Sequence, residues 1–585
     1  MLKIIILFIL FFLPGYLVLG KKFQDEEKFG LSLAFSILMY AGLAVILHIF
    51  KIPIIWALAA FPLSFITLFF KRPTFNIPLK LFIVFGVTLI IETILCGVSK
   101  FPASGDSYWH FAAAKNFLTQ DTWTLLPFTE NYWKGIDVAF YIQYRPPLFN
   151  LILGFAFSMF GASFIIAKLV MVLFTTSILL PIYLIAKKLY DEKCAIYSTI
   201  LLVTISSFFI SLTFEVLVYS AWAYLCLCFF YLYLKRGKYW TYTAILAALS
   251  YLTHTSSVII ISSVLLFDLL SNSKEIFNRI RSRNISIKIK YLYPIGIFIL
   301  IISPWLIRNY LIFDNPLYTT GKYAPFCKDH QALLTLTPPT LQDYLNFILI
   351  PINFIQTKLG AIFLTFLPRP YSVTFSTWDI QALWDPVKIN WALAGFLSYP
   401  LLIVVVYLII RRPMQMIPFL FYLGLIACLF LVGFRVGYML SFLLPQCVLL
   451  GILGINTVKN KKIFISFISI ILILQCVGIV YDRCKSKEIS DEELYSWIKN
   501  NVSEDEKIMN CNVHAIAYFT GRGGFITPNE DMNTILDCIK KWDVDYFIVG
   551  NVDLRVRDID IKLVEEKYKL LKQIQENRIY KVKDI

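Results

Sequence analysis

"IPLKLFIVFGVTLIIETILCGVSKFPASGDSYWHFAAAKNFL", residues 77–118, joins a membrane-length apolar run to the acid Asp106, the adjacent aromatic residues Tyr108 and Trp109, His110 and Lys115. About twenty apolar residues in helical form cross a hydrocarbon core of ~30 Å. Backbone groups in lipid must be paired within their own segment, so the run reads as a helix. Comparable runs recur from residue 2 to about residue 481 in a chain of 585 residues, 58% hydrophobic and 16% charged. That composition excludes a soluble globular protein and predicts a polytopic α-helical membrane protein.

The formal net charge of +16 is concentrated in short loops. "SNSKEIFNRIRSRNISIKIK" (271–290) carries six basic residues and one acid, and basic pairs stand at Lys71-Arg72, Lys235-Arg236, Arg411-Arg412 and Lys461-Lys462. Residues 99–145 balance four basic against four acidic residues. This is the positive-inside asymmetry, so the surplus reports orientation and not a nucleic-acid partner. The eleven cysteines are scattered without metal spacing and read as core residues.

With the basic loops inside, spans are expected near 2–19, 29–49, 52–70 and 78–98, leaving residues 99–145 outside. The first is read as a retained anchor, since it lacks a small-residue cleavage site. "PPLFNLILGFAFSMFG" (146–161) is too short to cross and is expected to enter the outer leaflet only part way. Further spans follow near 163–186, 192–212, 214–234, 239–254, 256–271, 291–309, 390–410, 415–433, 439–457 and 462–481. Fourteen spans place both termini outside. From about residue 482 amphipathic patterns alternate with short β runs such as "YFIVG" (546–550), predicting a small extracytoplasmic α/β domain over 482–585. The expected organisation is an N-terminal helical addition (1–77), a main transmembrane domain (78–481) with its outer loop 99–145, and the α/β tail.

Chemistry-bearing residues collect at the outer edges. Gly105 allows a turn, and Asp106 or Ser107 can cap the helix that follows, with Trp109, His110 and Ala113 within a turn or two. Asp106 reads either as that cap or as a reacting carboxylate. "SPWLIRNYLIFDNPLY" (303–318) and "GFRVGYMLSFLLP" (433–445) each deliver an arginine, Arg308 and Arg435, that reads as an interfacial anchor or as an anion partner. Arg145 precedes the paired prolines, and His254 sits at the turn of a short hairpin. Glu215 is expected at the outer end of its span, where an ionisable residue is a functional suspect; snorkelling is the alternative. Glu92 lies deeper and reads as structural or cavity-lining.

The order of "GDSYWHFAAAKNFL", "YRPPLFNLILGFAFSMFG", "FISLTFEVLVYSAWAYL", "ALSYLTHTSSVIII", "SPWLIRNYLIFDNPL" and "FRVGYMLSFLLP" resembles the GT-C membrane glycosyltransferases, in the branch of protein O-mannosyltransferases and lipid A aminoarabinose transferases. The resemblance covers roughly residues 78–460. It implies a polyprenyl-phosphate sugar donor (dolichyl phosphate mannose in one branch), inverting transfer, and a catalytic or acceptor-contacting carboxylate that falls on Asp106. The chain departs from that pattern in having Arg145 where an acid commonly precedes the prolines, and His254 where a basic Arg or Lys is frequent. Three spans also precede the usual first helix.

The residues fit such chemistry on physical grounds. A phosphate leaving group is a weak base, so the general acid of two-carboxylate glycosidases is not needed. One base and positioned cations suffice. The expectation is Asp106 as base and Glu215 as a second acid, with Trp109, His110, Arg145, His254, Arg308 and Arg435 binding substrate. No cofactor is required, and a divalent metal held by Asp106 and His110 is an open option. The acceptor is a protein, lipid or glycan hydroxyl, and the sugar mannose or another hexose. A multispan lipid or small-molecule transporter is the rival reading, but polar residues gather at one face and no repeat is evident. A membrane-anchored binding protein working through its tail is a third. Single cysteines introduced at Gly105 and Ile280 in a background lacking reactive native thiols should label from opposite sides of the membrane; labelling from one side overturns the topology.

Overall fold

The computed structural model describes residues 2–98, parts of 107–115, 146–204, 218–265, 289–318, 340–354 and 491–582, apart from isolated positions. The chain divides into two compact units. One comprises residues 1–100, 145–319 and 354–486, the other 101–144, 320–353 and 487–585.

The first unit is helical: α1 Leu2–Val18, α2 Asp25–Ile49, α3 Leu79–Val98, α4 Leu148–Phe160, α5 Phe164–Ser177, α6 Leu179–Leu189, α7 Glu192–Thr204, α8 Tyr219–Lys235, α9 Trp240–Thr253 and α10 Ile289–Phe313. Among the described residues, four helices are long and apolar enough to cross a membrane: Asp25–Ile49, Leu79–Gly97, Phe164–Leu189 and Tyr293–Leu311. The chain is a multi-pass membrane protein. Where a single span was expected at 52–70 there is a 3-10 turn, Ile54–Ala59, followed by the short helices Ala60–Ser64 and Ile66–Phe70. Pro53 caps that turn, and Pro62, in the first turn of Ala60–Ser64, has no N–H with which to continue the preceding turn as one ladder.

Three consecutive acids at the start of α2 tie the unit together. Asp25 accepts from Lys28 at 2.6 Å and from the Thr74 hydroxyl and Asn76 amide, both at 2.8 Å, in the approach to α3. Glu26 receives the Lys187 ammonium at 2.7 Å, from the end of α6. Glu27 accepts from the Tyr231 hydroxyl and the Lys235 ammonium at the end of α8, and from the Gln24 amide at 2.9 Å. Lys235 also lies 4.2 Å from the Tyr239 ring centre, and the Tyr239 hydroxyl donates to the Lys22 carbonyl. The helix N-terminus further favours these negative charges. The described residues of four loops that the charge pattern assigns to one face (22–28, 74–78, 187–189 and 237–239 with Lys235) therefore meet at one end of the unit.

Deeper in the bundle, close approach depends on small residues. A Cβ on Gly15 of α1 would lie 1.9 Å from the Ser32 carbonyl oxygen of α2, and the Gly15 amide donates to the Ser36 hydroxyl at 2.7 Å. Small residues at such crossings let helix backbones pack directly. The Tyr224 hydroxyl of α8 donates to the Gly30 carbonyl at 2.9 Å, satisfying a polar group inside the bundle. Helix α4 is 13 residues long, and ten of them are buried. At 1.5 Å per residue it spans about 20 Å, short of the ~30 Å core. Phe149 meets Phe174 of α5, and Phe155 meets Tyr40 of α2.

In the second unit the tail forms a five-stranded sheet with helices on both faces. Its elements are α11 Glu492–Asn501, β1 Ile508–Met509, α12 Val513–Thr520, β2 Gly524–Phe525, α13 Met532–Lys541, β3 Tyr546–Val549, α14 Ile561–Lys567, β4 Lys569–Ile574 and β5 Asn577–Lys581. The strand order is β2-β1-β3-β5-β4; the first three run parallel, and β5 is antiparallel to both β3 and β4. Alternation along β3 divides the core. Tyr546 and Ile548 join Leu494, Ile498 and Ile516 from α11 and α12, while Phe547 and Val549 join Ile535, Leu536 and Ile539 from α13. Asp545 is buried and accepts from the Lys507 amide at 2.8 Å, closing the entry to β1.

Two outcomes follow. Lys235→Ala leaves the Glu27 carboxylate buried without its cation, a loss of about 3–5 kcal/mol. It should lower the melting temperature in detergent much more than the paired change Glu27→Gln with Lys235→Met. In the tail, the Ser503 amide and hydroxyl and the Lys581 ammonium, 2.7–2.9 Å away, overcome the upward push of partial burial and hold Glu506 at about 2. That stabilisation is present above the usual carboxylate value of about 4.3 and is lost as pH falls from there through about 2. Hydrogen exchange of β5 amides in the whole protein should accelerate over that window, and Glu506→Gln should flatten the dependence.

Candidate active site and class of protein

His254 terminates α9 in an extended conformation, and its amide donates to the Ser250 carbonyl at 2.9 Å. The Ser256 amide donates to His254 Nδ1 at 3.2 Å, which makes Nε2 the N–H donor of the neutral ring. The imidazole lies 4.7 Å from the Trp222 ring and 6.2 Å from the Tyr219 ring, both in the first turn of α8. Trp222 Nε1 donates to the Ser257 hydroxyl at 2.6 Å. Because α8 ends at the acid cluster with Lys235, its start and His254 lie at the opposite end of the unit. The hairpin thus delivers an aromatic-framed imidazole to the end far from the basic loops.

Arg308 is half-buried in the last turns of α10. Its guanidinium lies over the Trp305 indole at 4.8 Å, and Nη1 donates to Asn309 Oδ1 at 3.0 Å. Trp305 and Arg308 share a helix face because they are three residues apart, and the stacking holds the cation in a defined place. Trp305 also packs with Ile302, Tyr251 and Ala248, so one apolar cluster joins the helices that carry Arg308 and His254. A planar, permanently charged guanidinium suits phosphate recognition.

His110 belongs to the second unit. The described residues between 107 and 115 are helical, and Ser107, Tyr108, His110, Phe111, Ala113 and Ala114 are all buried. Tyr108 and Phe111 contact Tyr518 and Phe519 of α12. Burial, the Asp491 carboxylate and Tyr108 push the phenol of nearby Tyr495 up. Asp106, Trp109, Arg145, Glu215 and Arg435 lie outside the described residues. Of the proposed set, then, the structure places His254 and Arg308 in the helical unit and His110 in the other. Among the described residues no group of three or more His, Cys, Asp or Glu side chains is arranged to hold a metal.

Lys168 and Asp553, which the sequence reading passed over, also stand out, together with Glu92. Lys168 of α5 is buried, as is Glu92 of α3, and both act electrostatically on Cys96 of α3. Asp553 in the tail is buried and accepts from Asn510 Nδ2 at 3.2 Å and from the Cys511 amide, the Thr527 hydroxyl and the Gly550 amide at 3.0 Å. These donors follow β1, β2 and β3, so one carboxylate holds the carboxyl ends of all three parallel strands. An aspartate in a polar turn gives no sequence signal for this; only the fold brings its donors together.

Residues 144–307 match the family model for dolichyl-phosphate-mannose-protein mannosyltransferase. No curated relative matches the sequence. The fold is similar to that of ArnT from Cupriavidus metallidurans bound to undecaprenyl phosphate, with a TM-score of 0.54 and 9% identity, covering 85% of this chain and 97% of that one. It is also similar to the oligosaccharyltransferase of Archaeoglobus fulgidus in complex with zinc and sulfate, with a TM-score of 0.51 and 13% identity over 85% of this chain and 73% of that one. The apo form of the same oligosaccharyltransferase gives a TM-score of 0.53 at 11% identity, over 86% and 74% of the two chains. These findings define the class: a membrane protein with the GT-C fold and a small C-terminal sheet domain. Within that class the family match over residues 144–307 points to a glycosyltransferase.

Proposed function

We propose that the protein is an inverting glycosyltransferase that moves a hexose from a polyprenyl-phosphate carrier to a hydroxyl acceptor at the outer membrane face. The observation that carries this reading is the family match over residues 144–307, which spans Arg145, Glu215 and His254 and ends one residue before Arg308. A lipid-borne donor suits a bundle reached sideways from the bilayer, and one structural neighbour holds undecaprenyl phosphate.

The chemistry follows from charge. The acceptor hydroxyl loses its proton to Asp106 as its oxygen attacks the anomeric carbon from the face opposite the carrier. The carbon–oxygen bond to the phosphate breaks, and the electron pair leaves with the carrier phosphate. Arg308, stacked on Trp305, and Arg145 and Arg435 receive the growing phosphate charge. His254 adds an N–H donor that its contact with the Ser256 amide orients. Glu215 assists acceptor binding, and Trp109 and His110 line the approach from the loop. The outer loop, His254 and the α/β tail all belong to the extracytoplasmic side in this reading.

Protein reconstituted in lipid with labelled polyprenyl-phosphate hexose should transfer or release the sugar. Asp106→Asn should lower the rate about 10²- to 10⁴-fold while the protein stays folded, the range expected when a general base is removed. Undiminished turnover by that variant overturns Asp106 as base. Arg308→Gln should act mainly by raising the apparent KM for the carrier.

A further inference from the structure

We propose that the C-terminal α/β domain is a positioning platform for the outer-loop helical segment described from Ser107, the residue that follows Asp106 in the sequence. The inference rests on the glycosyltransferase reading and adds a task for the tail, which transfers no sugar itself. Its basis is an aromatic clasp inside the second unit. Tyr108 lies 6.2 Å from Tyr518 and 5.6 Å from Phe519, and Phe111 lies 5.4 Å from Tyr518. Phe519 in turn stacks on Tyr495 of α11 at 4.5 Å and 17°. Phe111 is fully buried and Tyr108 nearly so.

The platform is rigid for identifiable reasons. Helix α12 carries Tyr518 and Phe519 near its C-terminal end, and Ile516 anchors it in the sheet core. Its entry is held by Asp553, which accepts the Cys511 amide two residues before the helix starts. Its exit is held by Gly521, in the left-handed region, and by Arg522, whose Nε donates to the Val502 carbonyl at 2.7 Å. The crevice at the carboxyl ends of β1 and β3 is where open α/β sheets receive ligands. Here the Asp553 side chain and its four donors fill that place, and a Cβ on Gly550 would lie 2.6 Å from Asn577 Oδ1. The domain presents its aromatic helix end to the described part of the outer loop.

Tyr108, Phe111, Tyr518 and Phe519 are thus positioning residues: they set where the loop helix sits, and the loop helix sets the carboxylate preceding it. Misplacing a reacting group by about 1 Å costs on the order of a hundredfold in rate. The test is made on the whole protein in lipid, by hydrogen exchange and by steady-state transfer from labelled polyprenyl-phosphate hexose. Tyr518→Ser with Phe519→Ser should raise exchange at residues 107–115 while β3 stays protected. It should also lower kcat about 10- to 100-fold, leave KM for the carrier within about twofold, and keep the profile of rate against pH. Tyr518→Phe should restore both readouts. Tyr108→Leu breaks the clasp from the loop side without touching the sheet and should reproduce the double variant, even where the latter unfolds the tail. Unchanged exchange at 107–115 in Tyr108→Leu, or faster exchange with unchanged kcat, overturns the proposal. If Asp106→Asn keeps full activity while the clasp variants lose it, the base assignment fails and the platform stands. If no variant or wild-type protein transfers sugar, the glycosyltransferase reading fails, and the exchange data still decide the clasp.

Discussion

Burying charge in a helical bundle is costly unless each charge meets its opposite, and the start of α2 meets that condition three times in succession. Asp25, Glu26 and Glu27 reach three different elements, because successive side chains on a helix point about 100° apart. The aspartate takes the approach to α3, the first glutamate takes the end of α6, and the second takes the end of α8. Chain segments separated by up to 208 positions are brought to one edge by this single turn. Once those ends are fixed, the opposite ends of α8 and α9 follow from helix length. The Trp222–His254 pair is therefore held in place by charges at the far side of the bundle.

The same logic explains how a mostly apolar interior acquires specific contacts. Apolar packing in lipid supplies little directional information, since hydrocarbon tails are as apolar as leucine. Gly15 against Ser32 and Tyr224 on the Gly30 carbonyl supply it instead. The Arg308 guanidinium over the Trp305 indole extends the principle to the site, with one face of a helix used both for packing and for holding a cation.

Much of this was legible in the sequence. The spans expected at 2–19, 78–98, 163–186, 239–254 and 291–309 correspond to helices at Leu2–Val18, Leu79–Val98, Phe164–Leu189, Trp240–Thr253 and Ile289–Phe313. Apolar length is a local property, and local properties can be read along a chain. Helix α2 was expected from residue 29 and begins at Asp25, because its first-turn acids meet partners that lie 49 or more positions away. Proline placement explains why 52–70 breaks up. The aromatic clasp was invisible for the same reason as the acid cluster: Tyr108 and Phe519 gain meaning only when the chain has folded. Arg308 and His254 could be named because they stand beside Trp305 or at a hairpin tip, which are sequence-adjacent cues.

The short helix α4 has one further consequence. On the reading that this 13-residue segment enters the membrane without crossing, it leaves the parity of the chain unchanged. In that reading the prolines at its start and Gly161 at its end face the same compartment, and the alternation of sides resumes with α5. Insertions that lengthened the segment to a full crossing would then invert every helix downstream, which makes the brevity of α4 a counting rule for the expected membrane path.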